Sequence, residues 1–288
     1  MIRRTAIFAV AAALTAAAIQ LTGVPMASAL PGLVTVNATS ATDSTSSRTV
    51  AVRCPAGKNI SGVGAAVNGG GGEVVLTGYY PIHGNPDSAR ATANEDADGY
   101  SGNWSLSVYA ICVTADPSMT IVTGTSATDS VANKGAVANC PAGDETIGMG
   151  GAISGGVGQV FLTDVYPGTG LTASHAFGLE ADAGYNGSWS VAAYAICIAA
   201  SSTIQEVDAQ IPTTEFGDTS NPKLVIARCR AGTLLHGLGA RLNNSVGRET
   251  INVVQPDGML HGVTAEAFDD EFGQPQPWTL IAIAICDT

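Results

Sequence analysis

Trp104-Ser-Leu-Ser-Val-Tyr-Ala-Ile-Cys112, Trp189-Ser-Val-Ala-Ala-Tyr-Ala-Ile-Cys197 and Trp278-Thr-Leu-Ile-Ala-Ile-Ala-Ile-Cys286 are three versions of one strand, and they decide the fold. In the first, Trp104, Leu106, Val108, Ala110 and Cys112 alternate onto one face, while Ser105, Ser107, Tyr109 and Ile111 take the other, the period of a β-strand. Trp and Cys share a face in every version. This predicts a buried tryptophan beside a disulfide rather than an exposed platform for sugar.

Working backwards from these segments, a second register appears. Cys54-Pro55-Ala56-Gly57, Cys140-Pro141-Ala142-Gly143 and Cys229-Arg230-Ala231-Gly232 align. After each Cys, the same offsets hold Gly62, Gly148 and Gly237, then Gly64, Gly150 and Gly239, then Pro81, Pro167 and Pro256. Copies one and two also share Thr-Ser-Ala-Thr-Asp-Ser, at 39–44 and 125–130. Self-similarity at this period of about 85 residues is the signature of a repeat architecture. The chain divides into a leader (1–29) and three β repeats (30–118, 119–201 and 202–288). First-to-second pairing inside each copy, Cys54–Cys112, Cys140–Cys197 and Cys229–Cys286, is the simplest connectivity, and each such loop closure is worth about 4 kcal/mol in the chain-entropy model.

Short β-branched or aromatic runs such as Thr49-Val50-Ala51-Val52 and Val74-Val75-Leu76 lie between Gly, Asn, Asp and Pro, and no segment has a helical period. The expectation is an all-β chain with four or five strands per copy. Gly69–Gly72 and Asn244–Gly247 fall at the same place in their copies and suit hairpin turns with positive φ. The joints after Cys112 and Cys197 are short and apolar, which favours closure into one pseudo-three-fold, β-prism-like body over three small β-sandwiches in a row.

Arg3 and Arg4, an apolar stretch from Ile7 to Leu21 and Ala27-Ser28-Ala29 form the pattern of a secretory signal peptide cleaved near Ala29. The expected location is therefore extracellular, without a membrane anchor. Without the two leader arginines, 10 Lys and Arg face 24 Asp and Glu, a net charge near −14. Such a balance repels nucleic acid and anionic membrane surfaces.

The succession Cys-Pro-Ala-Gly, Gly-x-Gly, a Gly-rich turn, a Val-x-Leu strand and finally Trp to Ala-Ile-Cys resembles a repeat of secreted actinobacterial proteins. More remotely, Cys-x-x-Gly followed by Gly-x-Gly resembles the repeats of the vitelline membrane outer layer protein I family, which implies a three-sheet β-prism with internal three-fold symmetry. The present chain departs from that family in repeat length and in lacking its Asp-Asp-Thr-Ala motif.

Candidate chemistry is sparse. The Gly-x-Gly pairs precede strands rather than a helix, so they fit close backbone approach or a β-bulge rather than a phosphate cradle. His83, His175, His236 and His261 share no repeat position, although His236 and His261 both fall in copy three and define a hydrolase reading confined to that copy. Acids precede each Trp: Glu95, Asp96 and Asp98 in copy one, Glu180 and Asp182 in copy two, and Asp269, Asp270 and Glu271 in copy three. Calcium is the cofactor such oxygen-rich loops admit. Tyr80, Tyr109, Tyr166 and Tyr194 recur in copies one and two and suit stacking on sugar rings. Together these features favour a secreted, non-catalytic binding or coat protein acting on a glycan or cell-surface polymer, over a self-assembling envelope component or a hydrolase.

Overall fold

A computed structural model describes residues 30–213 and 217–288; the predicted leader lies outside them. Copy one supplies β1 (Val34–Thr39), β2 (Ser47–Arg53), β3 (Lys58–Asn68), β4 (Val74–Ile82), β5 (Ser88–Glu95) and β6 (Ser105–Thr114). Copy two supplies β7 (Thr120–Thr125), β8 (Asn133–Asn139), β9 (Asp144–Ser154), β10 (Val160–Pro167), β11 (Ala173–Glu180) and β12 (Ser190–Ala199). Copy three supplies β13 (Gln205–Ile211), β14 (Lys223–Arg228), β15 (Leu234–Asn243), β16 (Glu249–Pro256), β17 (Gly262–Asp269) and β18 (Thr279–Asp287). The only helical element among the described residues is a single 3₁₀ turn at Thr169–Leu171.

Each copy thus has six strands rather than four or five. The additional strands gave weak signals: β3 is rich in glycine, and β5 alternates small Ala with polar residues. Within a copy, the first, sixth and third strands form one half-sheet and the fourth, fifth and second form the other. The half-sheets then fuse between copies. The three resulting sheets run β1-β6-β3-β16-β17-β14, β2-β5-β4-β9-β12-β7 and β13-β18-β15-β10-β11-β8. Copy one therefore pairs with copy three, copy two with copy one, and copy three with copy two. A row of separate sandwiches is excluded, because the first and last copies share a sheet.

Each fusion rests on very little ladder: Ala65 and Ala66 against Val254 and Val253, Tyr79 and Gly78 against Gly151 and Ala152, Val165 and Asp164 against Ala240 and Arg241. What lets the backbones meet there is the Gly-x-Gly of the sequence. Gly62, Gly148 and Gly237 each follow a bulge, and a methyl group on them would overlap the main-chain carbonyls of His236, Ser61 and Ile147 respectively. A methyl group on Gly64, Gly150 or Gly239 would likewise overlap the carbonyls of Val254, Tyr79 and Val165. Ser61, Ile147 and His236, the residues just before the first glycine of each pair, are fully buried and come from three different copies, so the three third strands meet at the pseudo-axis.

The disulfides are Cys54–Cys112, Cys140–Cys197 and Cys229–Cys286, with Cα atoms 5.8, 5.7 and 5.7 Å apart. Each ties the end of the second strand of a copy to the sixth strand, and these belong to different sheets. Three bridges therefore clip three pairs of sheets. Trp104, Trp189 and Trp278 are wholly buried on the disulfide-bearing strand, as the alternation required. Over each ring lies a cation, Arg48 at 4.6 Å, Lys134 at 4.5 Å and Lys223 at 4.4 Å from the centroid. Each cation is itself held by Asp43, Asp129 or Asp218, which also bridges its main chain to the Trp. The Asp of this segment, within Thr-Asp-Ser in copies one and two and Gly-Asp-Thr in copy three, thus anchors a clamp that allows a charged side chain to be buried against an aromatic face.

These contacts separate two kinds of glycine. Gly148→Ala is expected to cost about 4 kcal/mol or more, because neither of two packed main chains has room to retreat. Gly57→Ala, at φ +75° with nothing within 4 Å, is expected to cost about 1–2 kcal/mol. Urea unfolding of the two disulfide-intact variants measures the difference, and equal losses would contradict the packed axis.

Candidate functional site

At one end of the pseudo-axis, the turns between third and fourth strands meet the loops between fifth and sixth strands of the neighbouring copy. Gly72 packs on the main chain of Asp269 and Asp270, Gly158 on that of Glu95 and Asp96, and Gly247 on that of Glu180 and Asp182. A cup of about 320 Å³ opens between them. Its floor is Val75, Phe161 and Thr250, the same repeat position in each copy. Asp96, Asp98, Asp182, Asp270 and Glu271 stand around it against a single cation, Arg248. Phe272, 74% exposed, completes the wall. A concave site with an apolar floor and a few converging polar groups is the usual form of a small-ligand site.

The wall is electrostatically uneven. One repeat position carries Glu73, Gln159 and Arg248 in the three copies. Arg248 reaches across to copy two and pairs with Asp182 at 2.7 Å, while also donating to the Gly273 carbonyl. At the joint between copies one and three, Glu73 instead meets more acid. Carboxylate oxygens of Glu73, Asp96, Asp98 and Glu271 all lie within 4.8 Å of one another. Burial, followed by the charges of Asp96 and Glu271, pushes Glu73 up to about 7. Burial, followed by Asp98, pushes Asp96 to about 7 as well.

The acids named from the sequence divide accordingly. Asp96, Asp98 and Asp182 face the cup, but Glu95 and Glu180 are engaged below it, accepting the indole N–H of Trp104 at 3.1 Å and of Trp189 at 2.9 Å. In copy three the corresponding acid is Asp269, one methylene shorter, and the Trp278 indole nitrogen has no partner. Asp270 and Glu271, the acids ahead of the third Trp, face the cup too; Glu73 escaped the sequence reading because its counterparts, Gln159 and Arg248, are not acidic.

The tyrosines do not converge. They lie half-buried on the outer faces of three different sheets. Tyr80 stacks on Tyr194 with centroids 5.0 Å apart, and Tyr109 donates its hydroxyl hydrogen to Gln255 at 3.1 Å. Tyr166 stacks on His175 at 5.1 Å and lies under Arg241. The Tyr80–Tyr194, Tyr109–Gln255 and Tyr166–Arg241 contacts each span a fusion between copies, so these rings cover the joints of the sheets. His236 is fully buried, and burial holds it down to about 4, so it is neutral at physiological pH, with neither ring nitrogen hydrogen-bonded. His261 is exposed and contributes its backbone N–H to Asp257.

Among known proteins, no family model matches the chain and no curated protein matches it. No helix among the described residues is long and apolar enough to cross a membrane, and three intact disulfides fit an oxidising compartment.

A carboxylate whose folded pKa is raised binds extra protons in the folded state between its ordinary range and about 7, so its repulsion is absent at acidic pH and appears as pH rises through 7. Glu73→Gln, in chelator-treated buffer, is accordingly expected to raise stability by about 1 kcal/mol near pH 8 and to leave it unchanged near pH 4. Thermal melts at the two pH values measure this; a loss of stability at the higher pH would show that Glu73 is favourably paired.

Proposed function

We propose that this is an exported, non-catalytic binding protein, built as a β-prism-like ring, that takes the end of an extracellular glycan or comparable polymer in the axial cup. The observation that carries the reading is the convergence of loops from all three copies on one cavity with an apolar floor, an acidic wall and an exposed aromatic at its mouth. Sugar hydroxyls are donors that carboxylates accept, and Phe161 and Phe272 offer apolar surface to a ring face. The five acids suit neutral or amine-bearing sugars and oppose sulfated or uronic ones. The outer tyrosines serve the joints, so they are not needed for the ligand. Sealing of His236 in the interior removes one member of the histidine pair on which a hydrolase in copy three would depend.

Retention of the purified protein on insoluble chitin, cell-wall polysaccharide and cellulose tests this. Ala97→Trp and Ala183→Trp, on the exposed loops of the mouth, are expected to abolish retention, while Tyr109→Ala and Tyr194→Ala leave it unchanged. The opposite pattern would move the binding surface to the outer faces. Sedimentation of the protein without any polymer would favour a self-assembling coat.

A further inference from the structure

We infer that Glu73, Asp96, Asp98 and Glu271 form a calcium site in the wall of the cup, at the joint between copies one and three, where the ion does what Arg248 does at the joint between copies three and two. The inference rests on the reading of the cup as the binding site and adds the cation with which that site works.

The first support is chemical. Four carboxylates with oxygens within 4.8 Å of one another and no basic side chain among them must either hold protons or hold a cation. Oxygens on a shell about 2.4 Å from a calcium ion are at most about 4.8 Å apart, a limit these four carboxylates meet. The second support is positional. Arg248 and Glu73 occupy the same place in their copies, and each faces an acid of the neighbouring copy, Asp182 or Glu271. Where the chain supplies its own cation the joint is closed by an ion pair; where it supplies Glu, the counter-charge has to come from solution.

A third observation points to an occupant of the cup. Thr250 lines it, is 2% exposed, and its hydroxyl has no hydrogen-bond partner. Its counterparts Val75 and Phe161 are apolar, so nothing in the repeat requires a hydroxyl there. A buried hydroxyl is costly without a partner. Water carried by a calcium ion, which takes six to eight oxygens and so retains solvent beyond four carboxylates, supplies one.

Isothermal titration of the chelator-treated, disulfide-intact protein with calcium chloride near pH 7.5 is expected to give one site with a dissociation constant of about 0.1–1 mM, and magnesium about tenfold weaker. Glu73→Gln and Asp98→Asn are each expected to weaken calcium about tenfold, with near-UV circular dichroism unchanged to show that the variants are folded. Glu73→Arg, which copies Arg248, is expected to abolish calcium binding and to raise the melting temperature of the metal-free protein. Absence of both heat and thermal shift with about 10 mM calcium would overturn the inference, as would unaltered affinity in Glu73→Gln and Asp98→Asn. Polymer retention in calcium and in chelator separates this from the parent reading. Retention that persists in a protein without calcium affinity refutes the ion alone, whereas calcium binding without retention on any polymer refutes the glycan.

Discussion

Everything in this fold depends on three main chains approaching one another more closely than side chains permit. At the pseudo-axis a carbonyl from each copy lies against a glycine of the next, Ser61 on Gly148, Ile147 on Gly237 and His236 on Gly62. A bulge at each of these points turns the strand, and the glycine that follows removes the Cβ that would otherwise hold the copies apart. Only because the axis is this tight can half-sheets from neighbouring copies join through two residue pairs each.

The periphery is secured by different means. Each copy is a pair of three-stranded layers, and its disulfide and its Asp–cation–Trp clamp both run between those layers. Polar satisfaction is tuned copy by copy. Glu95 and Glu180 reach the indole nitrogen, and Asp269 does not; its carboxylate accepts the backbone N–H of Gln274 instead. The cup inherits its position from these loops, since the same Glu or Asp that ends the fifth strand fixes where the following acids stand.

Much of this was legible in residue order. The alternation in Trp104–Cys112 placed Trp and Cys on one buried face, and the near-equal Cys spacings of 58, 57 and 57 residues implied the three bridges. The glycine pairs were readable as close approaches, though not what approached them. The exchange of half-sheets was not legible, because its two-residue ladders leave no local pattern and its partners are remote in sequence. The site was only partly legible, for a related reason. Aligning the copies draws attention to what they share, so the repeated acids Glu95 and Glu180 stood out although they serve the tryptophans. The cup's chemistry lies in positions where the copies disagree, Glu73, Gln159 and Arg248, and those look like drift until the loops are seen to meet.

That disagreement follows from the covalent linkage of the three units. A trimer of identical chains would set the same residue three times around the axis, so an arginine at this position would bring three arginines and a glutamate three glutamates. Written in tandem, the joints are free to diverge one at a time: one keeps an internal ion pair, one gathers carboxylates, and one carries a neutral amide, Gln159. A single chain thereby gains a polar cavity with a front and a back, which strict three-fold symmetry forbids.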